Sequence, residues 1–295
     1  MKENKYDDDT FFNKYRQMFR SQKGLDGAGE WYELKKILPD FKEKHVLDLG
    51  CGYGWHCKYA AEHKAKSVVG VDISEKMLKV AQEKNQDDKI TYIHSAIEDF
   101  DTDPESYDAI ISSLTFHYIK DYDRLIDNIY KWLKPNGEFV FSVEHPIFTS
   151  YGNQDWYYDK KGEILHFPVD NYYYEGQRQA IFLGEEVIKY HRTLTTYLNT
   201  LLEKGFDISS VHQDCGMLIY DPQTQDTHSG GSGCGCAASV LAGYILPGII
   251  QKKWKRILFV PTGALLSKVS FNEGDPIPGI AHAVVIEQYR VPDMM

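Results

Sequence analysis

The chain has 295 residues, of which 42% are hydrophobic and 26% charged, so it is long enough for one or two domains with a large core. This composition excludes a wholly disordered chain. The formal net charge of -10, without a clustered basic face, argues against a protein that binds duplex nucleic acid, because neutralising phosphates requires such a face. A neutral or cationic small molecule is easier to accommodate.

Signals for export or membrane insertion are missing from the sequence pattern. Residues 1–12 contain no apolar run and no small-residue cleavage site, so they do not predict a secretory signal. The uncharged stretch 229–251 has only a short apolar part, interrupted by Pro247, whereas a span needs about 20 apolar residues. Five cysteines at irregular spacing favour reduced thiols. We therefore expect a cytoplasmic protein without a membrane span.

Hydrophobic periodicity predicts the order of helices and strands. Residues 6–38 predict two helices, because large apolar side chains recur at helical spacing before Pro39. Short apolar strands then alternate with amphipathic helices, the first of which follows Gly54 and the second of which Ser74 is placed to cap. The predicted strands are 45–50, 67–72, 90–95, 107–114 and 139–144. This alternation predicts an α/β fold with a doubly wound parallel sheet, in which ligands bind at the carboxyl ends of the strands.

A glycine-rich turn follows the first predicted strand, in the sequence VLDLGCGYGWH at 46–56. Such a turn lets the backbone approach a ligand closely. A nicotinamide or flavin site is the alternative, but its G-x-G-x-x-G fingerprint needs a glycine at the position of Trp55. Asp48 precedes the first glycine by two residues. These residues resemble the first motif of the class I S-adenosylmethionine-dependent methyltransferases, an acidic residue followed by G-x-G-x-G.

Three further segments fit this resemblance in order. The resemblance implies that Asp72 accepts the ribose hydroxyls, that Glu98 or Asp99 lies beside the adenine, and that 112–119 lines the methionine moiety and the methyl-transfer path. Taken singly, Asp72 and Glu98 are equally compatible with surface carboxylates. The implied cofactor is S-adenosylmethionine, and the implied cofactor-binding residues are Asp48, Gly50, Cys51, Gly52, Gly54, Asp72, Ile73, Met77, Ala96, Ile97, Glu98, Ser112 and His117.

Methyl transfer requires alignment of the acceptor, exclusion of water and, for some acceptors, removal of a proton. His117 and His145 follow the fourth and fifth predicted strands, and His191 is predicted to open a helix. These three are the candidate catalytic bases. The alternative for each of them is a structural role or a role in shaping the substrate pocket.

Aromatic side chains crowd the segment after the fifth strand, where methyltransferases of this type often insert a substrate lid. The lid-like insertion is predicted at 147–182, and the N-terminal helices at 1–43 are predicted to close the cofactor from the other side. The alternative is a hairpin whose rings cover the sheet. The predicted lid residues are Tyr151, Trp156, Tyr157 and Tyr172.

The last ninety or so residues resemble the C-terminal end of the stage V sporulation protein AD family, through the glycine loop 226–236 and the segments KRILFV and PIPGIAHAVVIEQ. That family has a thiolase-like fold and is implicated in dipicolinic acid handling in spore formers. The resemblance implies that the nucleophilic cysteine of thiolases is missing here. His228, Cys215, Cys234 and Cys236 fit a zinc site poorly, because C-x-C among glycines departs from C-x-x-C, so no metal is predicted.

The expected organisation is therefore a methyltransferase domain at 44–205 followed by an atypical α/β segment at 206–295 that resembles part of a thiolase-like fold. Residues 205–213 can supply a sixth strand, and one of the segments KRILFV or AHAVVIEQYR is predicted to pair with the methyltransferase sheet. The leading hypothesis is a methyltransferase acting on an unidentified small molecule. The alternative is a sporulation-related ligand-binding protein with a non-functional methyltransferase part.

Overall fold

A computed structural model describes residues 4–152, 154–207, 256–259 and 284–287. The chain divides into two compact units, Met1–Gly205 and Phe206–Met295. Described residues of the second unit form two strands.

The N-terminal region contains three short helices, α1 (Asp9–Tyr15), α2 (Phe19–Lys23) and α3 (Trp31–Ile37). Asp8 caps α1 by accepting a hydrogen bond from the amide of Phe11, which is a standard start for a helix. A single helix through Phe19 was predicted, but residues 16–18 interrupt it, and Phe19 begins α2 with its side chain 64% exposed. The two predicted helices are therefore three.

The central sheet has five parallel strands, β1 (His45–Leu49), β2 (Ser67–Asp72), β3 (Ile90–His94), β4 (Tyr107–Ser113) and β5 (Leu133–Ser142). Their order in the sheet is β3-β2-β1-β4-β5. The order reverses between β1 and β4, and this is where parallel α/β sheets bind ligands. The predicted Rossmann-like architecture is confirmed.

Helices α4 (Trp55–Glu62), α5 (Glu75–Lys84) and α6 (Tyr122–Trp132) connect these strands. The apolar face of α6 is buried against the sheet, with Ile126, Ile129 and Trp132 fully enclosed. Ser74 caps α5 as predicted, since its hydroxyl accepts from the amide of Met77. Residues of β1, β2, β4, α4 and α5 form one apolar cluster, and the strand ends are left as the place for polar chemistry.

Strand β5 begins earlier than the sequence indicates. Residues 134–137 were predicted as a turn before a strand at 139, yet β5 already pairs with β4 at Leu133, opposite Tyr107. The next pair is Ala109 with Glu138, and Asn136 has a φ of 63°. The turn residues thus form an irregularity inside the strand, because pairing on both sides holds them in the sheet.

Beyond β5 the chain forms α7 (Pro146–Ser150), two hairpins and α8 (Leu194–Glu203). The first hairpin joins β6 (Tyr157–Tyr158) to β7 (Ile164–His166), and the second joins β8 (Gly176–Phe182) to β9 (Glu185–His191). The prediction that His191 opens a helix is wrong. His191 ends β9 opposite Gly176, and the helix starts only after Thr193, whose side chain caps it.

In the second unit, β10 (Arg256–Phe259) pairs antiparallel with β11 (Val284–Glu287). KRILFV and AHAVVIEQYR therefore pair with each other over the eight described residues, and these residues form a sheet separate from the parallel one. The prediction that one of them joins the parallel sheet is wrong for this described part. The predicted sixth strand, apart from residues 205–207, and the glycine-rich segment 226–236 lie outside the described residues.

Candidate functional site

The glycine-rich loop between β1 and α4 needs its glycines for two different reasons. A Cβ on Gly50 would lie 2.3 Å from the Thr115 hydroxyl oxygen, and one on Gly54 would lie 2.2 Å from the Tyr92 hydroxyl oxygen. A Cβ on Gly52 would meet only the Cε of Met77, at 3.3 Å. Gly50 and Gly54 thus allow close packing within the protein, while Gly52 lies beside open space that a ligand can approach.

Asp72 ends β2 and faces the same loop. Its Oδ2 accepts a hydrogen bond from the amide of Gly52 at 2.8 Å, and its Oδ1 accepts from the amide of Ser74 at 2.9 Å. Burial raises the pKa of Asp72, although these two hydrogen bonds act in the opposite direction. Each oxygen keeps a second lone pair, so the carboxylate is fixed in place and can still accept two hydroxyl groups.

Asp48 lies behind the loop and is 1% exposed. Its Oδ2 accepts from the Sγ of Cys57 at 3.2 Å. Burial raises the pKa of Asp48 to about 7, because a weak thiol donor compensates little of the lost hydration. The end of β1 therefore holds a carboxyl group that is easily protonated near neutral pH.

The segment after β3 supplies apolar side chains and two neighbouring carboxylates, of which Asp99 is exposed. Ala96 and Ile97 are buried, and Glu98 lies in the turn that follows them. The backbone amide of Ser95 donates to the carbonyl of Asp72, which ties this turn to the end of β2. Ser112 is also buried, but its hydroxyl donates to the carbonyl of Leu49 at 2.7 Å, so it links β4 to β1.

His117 is 2% exposed and lies in a short 3₁₀ helix after β4. Its Nδ1 accepts from the amide of Glu144 at 3.4 Å, and its Nε2 lies 3.8 Å from the Oε1 of Glu144. Burial lowers the pKa of His117 to about 4. At neutral pH the ring is uncharged and carries its hydrogen on Nε2, since Nδ1 is the acceptor.

His145 and His191 are also engaged through their ring nitrogens. The Nδ1 of His145 accepts from the amide of Ile147 at 3.1 Å and thereby caps α7. His191 is fully buried, with Nε2 2.8 Å from the carbonyl of Tyr172 and Nδ1 2.8 Å from the Thr149 hydroxyl. Because a carbonyl only accepts, Nε2 carries the hydrogen and Thr149 donates to Nδ1. In this arrangement His191 has no free lone pair.

A buried ring of three side chains lies where β5 ends, and the sequence analysis did not predict it. Lys189 is 2% exposed, and its Nζ donates to the Oε1 of Glu144 at 2.6 Å and to the Oε1 of Gln154 at 2.7 Å. The Nε2 of Gln154 donates back to the Oε2 of Glu144 at 2.9 Å. Burial alone raises the pKa of Glu144, but His117, Lys189 and Gln154 outweigh it, so the pKa is lowered. We refer to Glu144, Gln154 and Lys189 as the roof ring.

The roof ring joins the sheet to the insertion, because Glu144 follows β5, Gln154 follows α7 and Lys189 is in β9. Glu144 could have been noticed in the sequence, because it is an acidic residue just beyond the end of β5, where ligands bind in parallel sheets. Nothing local marks its partners, which are 10 and 45 residues away.

The predicted lid residues do not form one wall. Tyr172 packs edge to face on His191, with its hydroxyl accepting from the amide of Leu194. Trp156 contacts Phe167, and Tyr157 is 56% exposed and stacks on His166. Tyr151 is partly buried directly after α7. In the insertion, β8 and β9 are the elements that pack against the N-terminal region, through Phe11, Ala180 and Val187.

The N-terminal region covers the glycine loop from the other side. Tyr15 contacts the ring of Tyr53 at 5.8 Å between centroids, and the hydroxyls of Tyr6 and Tyr118 are 3.4 Å apart. The Tyr53 hydroxyl and the indole nitrogen of Trp55 are buried without a hydrogen-bond partner among the described residues. Tyr53 lies in the glycine-rich loop and Trp55 is the first residue of α4, which fits a site built to receive a polar ligand.

Comparisons with known proteins agree with this geometry. A family model for a methyltransferase domain matches residues 47–141. An S-adenosylmethionine-dependent methyltransferase structure from Listeria monocytogenes is 55% identical, with 62% of this chain and 85% of that chain covered and a TM-score of 0.60. One from Mesorhizobium loti is 40% identical, with 68% and 92% covered and a TM-score of 0.61. The chain belongs to the S-adenosylmethionine-dependent methyltransferases.

The cofactor of this methyltransferase family is S-adenosylmethionine, and the loop fits it. Gly52 leaves room for a ligand, Asp72 has lone pairs for hydroxyl groups, and the apolar residues after β3 offer a surface for a flat ring. The expectation of an enzyme that uses this cofactor is confirmed.

The C-terminal part of the methyltransferase chain is similar to a different protein. A family model for stage V sporulation protein AD matches residues 190–287. The Bacillus subtilis protein of that name is 43% identical over 88 residues, which is 30% of this chain and 26% of the relative. The sequence resemblance to this family is confirmed, and the chain spans about a quarter of the relative's length.

Within the part of the methyltransferase chain that the structure describes, no cluster of three or more His, Cys, Asp or Glu side chains could hold a metal ion. The histidine and cysteines weighed as zinc ligands, at 215, 228, 234 and 236, lie outside it. No helix within the described ranges is long and apolar enough to cross a bilayer.

Proposed function

We propose that this methyltransferase transfers the methyl group to a small-molecule acceptor bound at the carboxyl ends of β4 and β5. The observation that carries this proposal is the cover over these strand ends. The N-terminal region and the β8–β9 hairpin meet above them through Phe11, Ala180 and Val187, and the roof ring fastens the hairpin to the sheet. A covered site of this kind favours a compact acceptor over a protein or nucleic acid.

The cofactor residues follow from the geometry of the loop. We assign the ribose hydroxyls to Asp72, the adenine ring to Ala96 and Ile97, and the adenine amino group to Glu98. When bound, the cofactor supplies a methyl group activated by a sulfonium. The contribution of the chain is to orient that cofactor, to hold the acceptor in line and to exclude water.

Proton removal by a histidine is not part of the proposal. In the neutral form, the Nδ1 atoms of His117, His145 and His191 all accept hydrogen bonds, and Nε2 carries the hydrogen. We therefore expect an acceptor that loses its proton readily or binds already deprotonated. The three histidines then shape the roof and the strand ends.

The first test is calorimetric titration of the full chain with S-adenosylhomocysteine. We expect saturable binding by the wild type and a loss of at least about tenfold in affinity for Asp72→Ala, since a buried carboxylate that accepts two hydroxyls contributes about 1.5–3 kcal/mol. Asp88→Ala is the matched control, because Asp88 is an exposed carboxylate after α5. Equal affinity of Asp72→Ala and wild type would contradict the assignment.

The acceptor is then sought by measuring S-adenosylhomocysteine release with pools of small molecules sorted into amines, phenols, thiols and carboxylates. Release that depends on one pool and saturates with it supports the proposal. Methylation confined to macromolecular fractions would contradict it.

We also propose that the enzyme acts in the cytoplasm. The support is that Cys51 and Cys57 are free and buried in the described structure, as expected in a reducing compartment. Subcellular fractionation of the source cells tests this. The likeness to stage V sporulation protein AD adds no second activity, because it covers 26% of that protein.

A further inference from the structure

The carboxylate of Asp7 lies at the N-terminal end of helix α5. Its Oδ1 accepts from the hydroxyl of Ser74 at 2.6 Å and from the amide of Lys76 at 3.1 Å. Its Oδ2 accepts from the Nδ2 of Asn4 at 2.8 Å and from the amide of Glu75 at 3.4 Å. A negative charge at this end of a helix is stabilised by the helix dipole and by the free amides.

This contact is adjacent to the proposed ribose site. Ser74 donates through its hydroxyl to Asp7 and through its amide to Asp72. The Nδ2 of Asn4 also donates to the carbonyl of Ile73, at 3.3 Å. The N-terminal segment is thus fastened one to two residues away from the carboxylate that we assign to the cofactor.

The same segment reaches across the glycine loop to the roof. Phe12 and Tyr15 contact the ring of Tyr53. Phe11 is fully buried against the β8–β9 hairpin, and Lys14 pairs with Glu185 at 3.1 Å. We refer to residues 4–15 as the strap. The strap crosses from the start of α5 to the hairpin and covers the loop between them.

The two ends of the strap differ in how firmly they are held. At the hairpin end, Phe11 is enclosed by apolar side chains. At the α5 end the contacts are hydrogen bonds to Asp7 and an ion pair of Asp9 with Lys76. Ser74 is buried, but Asp7 is only partly buried and the following residues 8–10 are exposed, so water can replace the outer hydrogen bonds of the Asp7 carboxylate. The α5 end is therefore where the strap opens at the smaller cost in free energy.

We propose that Asp7 is a latch that holds the strap over the bound cofactor, so that release of S-adenosylhomocysteine requires the contact between Asp7 and the start of α5 to break. This inference rests on the proposed cofactor site. Asp7 acts through Ser74 and the α5 amides and is a positioning residue.

The test measures association and dissociation rates of S-adenosylhomocysteine with the immobilised full chain by surface plasmon resonance. For Asp7→Ala we expect both rates to rise, with dissociation faster by on the order of tenfold, which corresponds to about 1.4 kcal/mol, because the variant lacks the charged acceptor of these hydrogen bonds. Asp7→Asn keeps one acceptor oxygen and should give an intermediate rate. A parallel rise in both rates is the signature of a gate and is not expected from a general loss of folding.

Asp9→Ala is the matched control. Asp9 carries the same charge two residues away, is 92% exposed and contacts Lys76 only at the surface, so its rates should equal those of the wild type. Ser74→Ala removes the hydroxyl that donates to Asp7 and leaves the strap unchanged, but it also removes the N-cap of α5, so Asp7→Asn is the second variant if Asp7→Ala folds poorly. Unchanged rates in both Asp7→Ala and Ser74→Ala, or equal effects of Asp9→Ala, would overturn the latch. Failure of the wild type to bind would instead contradict the cofactor site.

Discussion

Two buried carboxylates at the ends of strands show opposite behaviour. Asp48 near the end of β1 has a thiol as its hydrogen-bond donor, and burial raises its pKa to about 7. Glu144 after β5 is held by the ammonium of Lys189 and the amide of Gln154, and its pKa is lowered despite burial. The difference shows that partners, rather than burial alone, decide whether a carboxylate is charged. Asp48, near the proposed cofactor site, lacks a strong partner for its negative charge, whereas Glu144 in the roof ring has one.

Removing the partner of Glu144 should have the largest effect. Lys189→Met leaves the carboxylate buried without its cation, and we expect the free energy of unfolding to fall by about 3–5 kcal/mol, measured by urea denaturation. The double variant Glu144→Leu with Lys189→Met should recover most of this loss. Lys204→Met is the control, since Lys204 pairs with the exposed Asp123 and Asp127 and should cost less than about 1 kcal/mol. A similar fall in the free energy of unfolding in Lys189→Met and Lys204→Met would show that the Glu144–Lys189 pair is no more important than an exposed ion pair.

Removing the carboxyl group of Asp48 should raise the free energy of unfolding near neutral pH, whereas removing the ammonium of Lys189 lowers it. The folded state favours protonated Asp48, so the wild type binds more protons when folded than when unfolded between about pH 4, the unfolded pKa, and pH 7, the folded one. Its stability falls as pH rises through this window, by about 1.4 kcal/mol per pH unit at most. Asp48→Asn should lack this slope and be more stable at pH 7.5, while binding S-adenosylhomocysteine more weakly. Thermal unfolding of both proteins at several pH values measures how stability changes with pH. The same pH dependence in Asp48→Asn and in the wild type would contradict the pKa assigned to Asp48.

Replacing the uncharged side chain of His191 should lower the free energy of unfolding by less than replacing Lys189. His191→Phe leaves the Thr149 hydroxyl and the Tyr172 carbonyl without their partner, and we expect a loss of about 1–3 kcal/mol. The affinity for S-adenosylhomocysteine should stay close to that of the wild type, because His191 forms its hydrogen bonds with Thr149 in α7 and with the carbonyl of Tyr172, away from the glycine-rich loop and Asp72. Lost cofactor binding with retained stability would show that His191 belongs to the cofactor site instead.

The sequence predicts the sheet well and the roof poorly, for a physical reason. Strands β1, β2 and β4 are largely buried apolar runs, and β3 is a short edge strand of β-branched and aromatic residues, so their positions follow from local pattern. The start of β5 does not, because pairing with β4 overrides the turn residues 134–137. His191 was assigned to a helix because apolar side chains recur at helical spacing after it, whereas the hairpin places it in β9.

The candidate site was also only partly predictable from the sequence. The glycine loop, Asp48 and Asp72 lie in one continuous motif with fixed spacing, so the sequence could place them. The contacts of Lys189 with Glu144 and of Asp7 with Ser74 join residues 45 and 67 positions apart. No local pattern encodes such pairs, and they become visible only when the fold brings their segments together.

The strap has a consequence for the order in which the protein is built. It is made before its partners, which lie far along the chain, since Lys14 pairs with a residue 171 positions later. Contacts of such separation form late in folding. During synthesis from the N-terminus the apolar side chain of Phe11 stays uncovered until the β8–β9 hairpin has emerged. The cover over the proposed acceptor site is therefore completed at the end of folding, after the parallel sheet has already formed.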